Sequence, residues 1–269
     1  MNRIVKKFDG LKKKKKKALI VFMTAGDPSL KKNEALALAF EKEGVDLIEL
    51  GVPFSDPLAD GPVIQAASQR SLQRGTNLKK ILALVQAIRK KSQLPLVLMS
   101  YLNPIWYYGV GRFALDAKKA GVDGVIVPDL PPDEGREIGS AFRRQGLALI
   151  YLLAPTSGPE RQKNVARASS GFVYYVSLTG VTGVRQELSK ELSKQVRAVK
   201  RATRLPVCVG FGVSTPEQAK AVARTADGVI VGSAVVRALH ENAKWSAQKA
   251  AEKIIRPFAR ALGKGGSHA

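Results

Sequence analysis

Short apolar runs recur along the chain, each bounded by Gly, Pro or Asp and separated from the next by a stretch of helical character. The eight runs are Ala18–Met23, Val45–Leu50, Pro95–Tyr101, Gly124–Pro128, Leu147–Leu153, Gly171–Ser177, Pro206–Gly210 and Gly228–Val231. Most are apolar at consecutive positions, as in parallel strands that are covered on both faces. Eight such strands alternating with helices predict an α/β fold, a single (β/α)8 TIM barrel.

The segments between the runs carry helix signals. Leu78 to Ile88 has apolar residues at helical spacing, which predicts an outer barrel helix. Ser157–Glu160 and Ser214–Glu217 match the capping-box pattern and predict two helix starts, each with its serine as the N-cap. A doubly wound open sheet is the alternative, but no Gly-x-Gly-x-x-Gly sequence follows the first run.

The length of 269 residues suits one barrel domain spanning 1–269. We expect its core to span about residues 15–262, between a lysine-rich N-terminal segment and a flexible C-terminal tail. A single cysteine, Cys208, excludes an intramolecular disulfide. No signal peptide or membrane-spanning run is recognisable, so we expect a cytoplasmic protein without a membrane partner.

The chain is strongly basic. It contains 44 Lys and Arg against 22 Asp and Glu, a net charge of +22, with an unbroken lysine run from Lys12 to Lys17. Such an excess permits a nucleic-acid-binding protein as an alternative. The lysines are spread over solvent faces of predicted helices without the interleaved aromatic residues that stack on bases, so we expect no specific nucleic-acid partner.

Catalytic groups of a barrel lie at the carboxyl ends of its strands. Glu49 is an acid inside an apolar strand, and it points into the barrel if Ile48 and Leu50 face the outer helices. Burial would raise its pKa and suit it to donating and accepting a proton near neutral pH. Asp56 and Asp60 follow in a loop rich in Pro and Gly, where Asp56 is equally well explained as a turn former.

Later strand ends are rich in glycine. They comprise Ser177–Gly183, Gly210–Ser214 and Gly232–Ala234. Glycines let backbone N–H groups approach an anion, and a short helix beginning near Ser233 would point its N-terminus at a phosphate. A metal site is not expected, because the only histidines are His240 and His268 and Cys208 lies within a strand. Acid–base chemistry therefore falls to carboxylates or tyrosines.

Several segments together resemble the tryptophan synthase α subunit over about residues 15 to 240. They are Phe22–Pro28, Glu49–Pro62, Tyr101–Pro104, Asp129–Pro132, Thr179–Gly183 and Val209–Gly212. The resemblance implies retro-aldol cleavage of indole-3-glycerol phosphate to indole and glyceraldehyde 3-phosphate. It also implies that this subunit has no cofactor and that a β subunit carrying pyridoxal phosphate joins it in an α2β2 assembly.

The resemblance assigns roles to individual residues. Glu49 protonates the ring carbon that bears the side chain and takes the proton of the adjacent hydroxyl, while Asp60 stabilises positive character at the indole N–H. Tyr174 lines the site near Glu49, with Tyr175 in its place if the strand register is shifted by one. The phosphate is held at Gly183, Gly212, Gly232 and Ser233. The apolar slot for indole consists of Phe22, Tyr101, Val127, Phe211 and Val231.

Two alternatives within the barrel fold stay open. Another phosphate-sugar barrel enzyme would share the glycine-rich strand ends, although it would lack the segment from Glu49 to Pro62. A non-catalytic or weakly active subunit kept mainly to activate a partner would share the whole resemblance, and only a turnover assay separates it from an active lyase.

Overall fold

The predicted barrel is present. The computed structural model describes residues 1–177 and 185–264, with only the backbone for residues 185–190. All the strands are parallel, in the sheet order β5-β4-β3-β2-β1-β9-β8-β7-β6. The strands are β1 (Ala18–Thr24), β2 (Leu47–Gly51), β3 (Leu96–Met99), β4 (Gly124–Ile126), β5 (Ala148–Ile150), β6 (Leu152–Leu153), β7 (Val173–Val176), β8 (Val207–Gly210) and β9 (Gly228–Val231).

The fifth predicted strand is divided in two. Tyr151 alone separates β5 from β6, and β5 pairs with β4 whereas β6 pairs with β7. The two pieces therefore occupy one strand position between β4 and β7, so that the nine strands of the described residues fill the eight positions expected from the sequence.

Helices surround the sheet. They are α1 (Arg3–Lys13), α2 (Leu30–Lys42), α3 (Pro62–Gln73), α4 (Leu78–Arg89), α5 (Leu102–Tyr108), α6 (Val110–Ala120), α7 (Arg136–Arg144), α8 (Pro159–Ala168), α9 (Arg185–Ala202), α10 (Pro216–Ala223), α11 (Ser233–Glu241), α12 (Ala247–Ala250), a π-helical segment (Ala251–Ile255) and α13 (Arg256–Ala261). The apolar stripe predicted for α4 is buried throughout. No helix in residues 1–177 or 185–264 is both long and apolar enough to cross a membrane.

Alternation along each strand separates two apolar layers. On β2, Ile48 and Leu50 pack in the layer between the sheet and the helices, whereas Leu47 belongs to the cluster that fills the barrel. Glu49 lies between the two outward-facing residues, so its side chain is directed inward, as the sequence predicted. The same alternation on β7 turns Tyr174 inward and Tyr175 outward.

The expected start of the core near residue 15 is wrong. Ile4, Phe8 and Leu11 of α1 are buried in the interior cluster, where Phe8 lies 5.8 Å from the ring of Phe172. Their spacing of four and three residues places them on one helical face, so α1 covers one end of the barrel with an apolar stripe. The lysine run begins in the last turn of α1 and leads into β1.

Both predicted helix starts are present, but their N-caps are not the predicted serines. The N-cap of α8 is Gly158, without a side-chain cap, and that of α10 is Thr215, which forms a capping box with Gln218. A proline occupies the first position of each helix. Because proline favours that position, the cap is the residue directly before it and lies one residue later than the Ser-x-x-Glu spacing suggests.

Carboxylates fasten the amino-terminal ends of the strands. An aspartate immediately precedes each of β2, β4 and β9, namely Asp46, Asp123 and Asp227. Each accepts a backbone N–H from the neighbouring strand, namely Leu19 at 2.8 Å, Leu96 at 3.0 Å and Val207 at 3.0 Å. Each also forms an ion pair, respectively with Lys264, Arg89 and Lys200. Each of these three carboxylates is thus paired with a cation and a backbone amide, which indicates a structural role.

Candidate active site

The opposite end of the barrel holds a cavity of about 490 Å³. Its volume lies in the range typical of small-molecule sites. Residues predicted from the sequence that line it are Phe22, Asp60, Tyr174, Phe211, Gly212, Gly232 and Ser233. The fold therefore brings together groups from β1, β7 and the segments that follow β2, β8 and β9, which are far apart in the sequence.

Glu49 is not among the residues that line this cavity, but it neighbours two that are, Phe22 and Tyr174. It is fully buried, and among the described residues neither of its carboxylate oxygens has a hydrogen-bond partner. It is paired in register with Phe22 of β1, and its charge raises the pKa of Tyr174 after the larger effect of burial on that phenol. Burial raises the pKa of Glu49 itself to about 8, so the carboxyl is protonated at neutral pH and available as an acid.

Asp60 reaches the cavity from the loop between β2 and α3. Burial raises its pKa to about 6, and a hydrogen bond from the Tyr101 hydroxyl acts in the opposite direction. Asp60 is therefore mostly ionised at neutral pH while Glu49 is mostly protonated. Asp56 is exposed, and its carboxylate accepts a hydrogen bond from the Ser55 hydroxyl, which fits the turn-forming alternative for Asp56.

Two glycines make room for the aromatic rings of the site. A Cβ at Gly51 would collide with the ring of Phe22, and one at Gly210 would collide with the phenol of Tyr174. Tyr174 also meets Phe211 edge to face, with ring centroids 6.0 Å apart. These strand-end glycines therefore serve ring packing, a reason distinct from the phosphate cradle inferred for the glycine-rich ends.

The proposed phosphate end of the cavity is formed mainly by backbone. α11 begins at Ser233 with Gly232 as its N-cap, and its first hydrogen bonds run from Val235 and Val236 to the Gly232 carbonyl at 2.8 and 3.1 Å. The N–H groups of Ser233 and the following residue precede these bonds and point out of the helix end. Gly212 has a φ of +76°, which a residue with a side chain rarely adopts. Gly183 lies outside the described residues.

Two residues predicted for the indole slot face the wrong way. Val127 and Val231 are buried in the layer between the strands and the helices, not in the cavity. The strand period of two explains the error, because Ile126 and Ile230, one residue earlier in each case, face the barrel interior. Tyr101 is buried and lies behind Asp60 instead of lining the cavity.

The sequence analysis missed other cavity residues. Ile230 lies two residues before Gly232 and could have been found from strand alternation, and Met99 closes β3 on the inner face. Arg237 lines the cavity one helical turn beyond Ser233 and exposes its side chain. Its spacing of four residues from Ser233 was the available signal. Among the residues described, no three His, Cys, Asp or Glu side chains are grouped so as to hold a metal ion.

Comparison with known proteins decides the family. Residues 8–262 match the family model described as tryptophan synthase alpha chain. The chain belongs to this family. The tryptophan synthase alpha chain of Geotalea daltonii is 55% identical over 237 residues, which cover 88% of this chain and 90% of that protein. The corresponding protein of Citrifermentans bemidjiense is 56% identical, covering 88% and 89%.

Solved structures of the family have the same fold. Tryptophan synthase subunit alpha from Legionella pneumophila superposes with a TM-score of 0.91 at 40% identity, covering 98% of this chain and 100% of that one. A chain of tryptophan synthase from M. tuberculosis in an aminoacrylate-bound form gives 0.87 at 37% identity, covering 97% and 100%. The chain is accordingly a lyase of tryptophan biosynthesis that acts on indole-3-glycerol phosphate, and tryptophan synthase alpha chains function with a β subunit.

Proposed function

We propose that Glu49 and Asp60 carry out the cleavage of indole-3-glycerol phosphate as an acid–base residue and an electrostatic partner. Glu49 gives its proton to the ring carbon that bears the glycerol side chain. The carbon–carbon bond then breaks as Glu49 takes the proton of the adjacent hydroxyl, leaving indole and an aldehyde. Asp60 stabilises positive charge that develops at the indole nitrogen.

One observation carries this assignment: a fully buried carboxyl, without a hydrogen-bond partner in the described part of the chain, lies beside two residues that line a cavity, and the wall of that cavity holds a second carboxylate. An unpaired buried carboxyl is costly for folding, so its retention favours a chemical role. With a pKa of about 8 for Glu49 and about 6 for Asp60, Glu49 would be neutral and Asp60 negatively charged at neutral pH. Such a separation is what assigns the acid and the base at many active sites.

We assign the substrate phosphate to the N-terminus of α11 and the turn after β8, at Gly212, Gly232 and Ser233, with Gly183 as a further expected contact. Arg237 extends this set with a positive charge on the same helix. We assign the indole ring to the space between Phe22, Tyr174 and Phe211, which line the cavity. Phosphate contacts far from the breaking bond would orient the substrate for the reaction.

The test is indole release from indole-3-glycerol phosphate by Glu49→Gln, with Glu241→Gln as the matched control. Glu241 lines the rim of the same cavity but is exposed. We expect the first change to lower kcat by at least about 10²-fold, the lower range for a positioned acid–base group, and the second to leave it unchanged. Activity of Glu49→Gln within about tenfold of the parent would contradict the assignment.

We further propose that the chain acts in the cytoplasm without a cofactor of its own, in an α2β2 assembly whose β subunits carry pyridoxal phosphate. The chemistry above needs only carboxylates, and the free thiol of Cys208 suits a reducing compartment. Sedimentation of the chain mixed with a tryptophan synthase β subunit tests the stoichiometry. The lyase rate of that mixture should exceed that of the chain alone, because partner contact would hold the loop that carries Asp60.

A further inference from the structure

Tyr101 connects the loop that carries Asp60 to the barrel. It follows β3 as the N-cap of α5 and is buried, with its backbone fixed on both sides. The Ser100 hydroxyl donates to the Tyr101 carbonyl at 3.0 Å, and the Leu102 amide donates to Asp129 at 2.9 Å. The Tyr101 phenol is therefore held at a fixed place beside the cavity.

The loop between β2 and α3 is much less anchored. Ser55, Asp56, Leu58 and Ala59 are all exposed, and the side chain of Leu58 is 95% exposed. The Ala59 amide donates to the Tyr101 hydroxyl at 2.9 Å across 42 positions of sequence. An exposed loop is thereby attached to a rigid strand end immediately before its functional carboxylate.

The phenol has one proton and available lone pairs, which fixes the direction of its hydrogen bonds. Its oxygen accepts the proton of the Ala59 amide, so its own proton is available to the carboxylate of the next residue, Asp60, whose pKa the phenol lowers. The ring of Phe54 packs against Tyr101 with centroids 5.3 Å apart. The phenol is thus bonded to the loop backbone and can donate to Asp60 from the same position.

We propose that Tyr101 is a positioning residue for the lyase reaction, whose hydroxyl holds the β2–α3 loop against the barrel and directs the Asp60 carboxylate into the cavity. The inference rests on the role proposed above for Asp60. The phenol also has a second effect, on the pKa of Asp60. A hydrogen bond donated to the carboxylate favours its ionised form and opposes the increase in pKa that burial causes.

Other charged or ionisable groups also face Asp60. They are Glu49 on β2, Tyr174 on β7, and Arg237 and Glu241 on α11. None of them changes when the Tyr101 hydroxyl is removed, so a difference in pH dependence between parent and variant reports on the phenol. The substrate phosphate titrates in the same pH range, but it contributes equally to every variant.

The experiment compares Tyr101→Phe with Tyr108→Phe. The Tyr108 hydroxyl, on α5, donates to Asp116, on α6, at 2.9 Å, and neither residue lines the cavity. Tyr108→Phe therefore removes a phenol–carboxylate bond that is remote from the cavity. For each full-length chain, kcat and KM for indole-3-glycerol phosphate are measured from pH 5 to 9 together with thermal unfolding. Both replacements keep the aromatic ring and its packing.

We expect Tyr101→Phe to lower kcat at pH 7 by roughly tenfold, as loss of a charge-assisted hydrogen bond allows, with a smaller change in KM. The acid limb of its pH profile should move up by about one pH unit. Tyr108→Phe should match the parent in both. A folded Tyr101→Phe with an unmoved acid limb overturns the positioning role.

An Asp60→Asn variant measured in parallel separates the two proposals. If it is inactive while the Tyr101→Phe profile is unchanged, the role of Asp60 stands and that of Tyr101 fails. If Asp60→Asn is as active as the parent, both assignments fail together. If Tyr101→Phe unfolds, kcat is measured on Phe54→Leu, which keeps the hydroxyl but removes the ring that packs against Tyr101. An unchanged kcat in that folded variant also overturns the positioning role.

Discussion

Replacing Glu49 by glutamine should remove a loss of folding stability that grows as pH rises, while it removes the activity. In the unfolded chain this carboxyl ionises near its ordinary pKa of 4.5, whereas in the folded chain burial raises the pKa to about 8. Between these two values the unfolded state binds fewer protons than the folded state, so the free energy of unfolding falls as pH rises. A glutamine side chain has nearly the same shape as that of Glu49 but does not ionise, so it makes no such contribution.

The magnitude follows from the separation of the two pKa values. Each pH unit above 4.5 costs the parent about 1.4 kcal/mol, which amounts to roughly 3 kcal/mol at pH 7 and about 5 kcal/mol above pH 8, where the effect levels off. At pH 4 both side chains are neutral. The difference in unfolding free energy between parent and variant at pH 4 therefore reflects the cost of burying an amide instead of a neutral carboxyl. Only the change of that difference with pH reports the cost of ionising Glu49.

The assay is urea unfolding of parent and Glu49→Gln at pH 4, 5.5, 7 and 8.5, followed by circular dichroism. The stability difference should shift in favour of the variant by roughly 3 kcal/mol from pH 4 to pH 7. Glu134→Gln is the control, because it makes the same replacement at an exposed position. A stability difference for Glu49→Gln that does not change with pH would refute the claim that this carboxyl is buried in its protonated form.

Three further outcomes are expected. Asp60→Asn should lower kcat by about 10²-fold or more, while Asp56→Asn, at an exposed turn, should stay within about threefold; the reverse order in indole-release assays would show that the wrong aspartate was assigned. The profile of kcat/KM against pH should be bell-shaped, with its acid limb near 6 from Asp60 and its basic limb near 8 from Glu49, and a profile flat from pH 5 to 9 would contradict both assignments. Arg237→Gln should raise KM for the substrate by roughly tenfold and weaken competition by inorganic phosphate, whereas Arg224→Gln, at the exposed carboxyl end of α10, should change neither; equal effects of the two would indicate a general charge effect.

The sequence predicted the barrel well because its strands are locally encoded. Runs that are apolar on both faces and bounded by glycine or proline give each strand position without reference to the rest of the chain. The division of the fifth strand at Tyr151 was not predictable in this way, since β5 and β6 are defined by their pairing with two different neighbours. Such pairing is a property of the closed sheet.

The site was predictable where alternation alone decides direction. Glu49 was placed correctly because its apolar neighbours on β2 must face the helices, and Tyr174 because the same rule separates it from Tyr175. Applying the rule to strand ends would have chosen Ile230 over Val231. In contrast, the bond from the Ala59 amide to Tyr101 joins a loop to a distant strand end, and no local pattern indicates it.

Three paired aspartates at one end of the barrel contrast with Glu49 at the other. Asp46, Asp123 and Asp227 at the amino-terminal end each accept a backbone amide and face a lysine or arginine, so their burial is offset by charge-assisted hydrogen bonds. Glu49 at the other end has neither among the described residues, in a chain with twice as many basic as acidic residues. A single basic neighbour would hold its pKa low and make it a permanent base, unable to protonate a ring carbon. An unpaired, protonated carboxyl is therefore what the role proposed for Glu49 requires, and the paired aspartates at the far end help the fold to tolerate it.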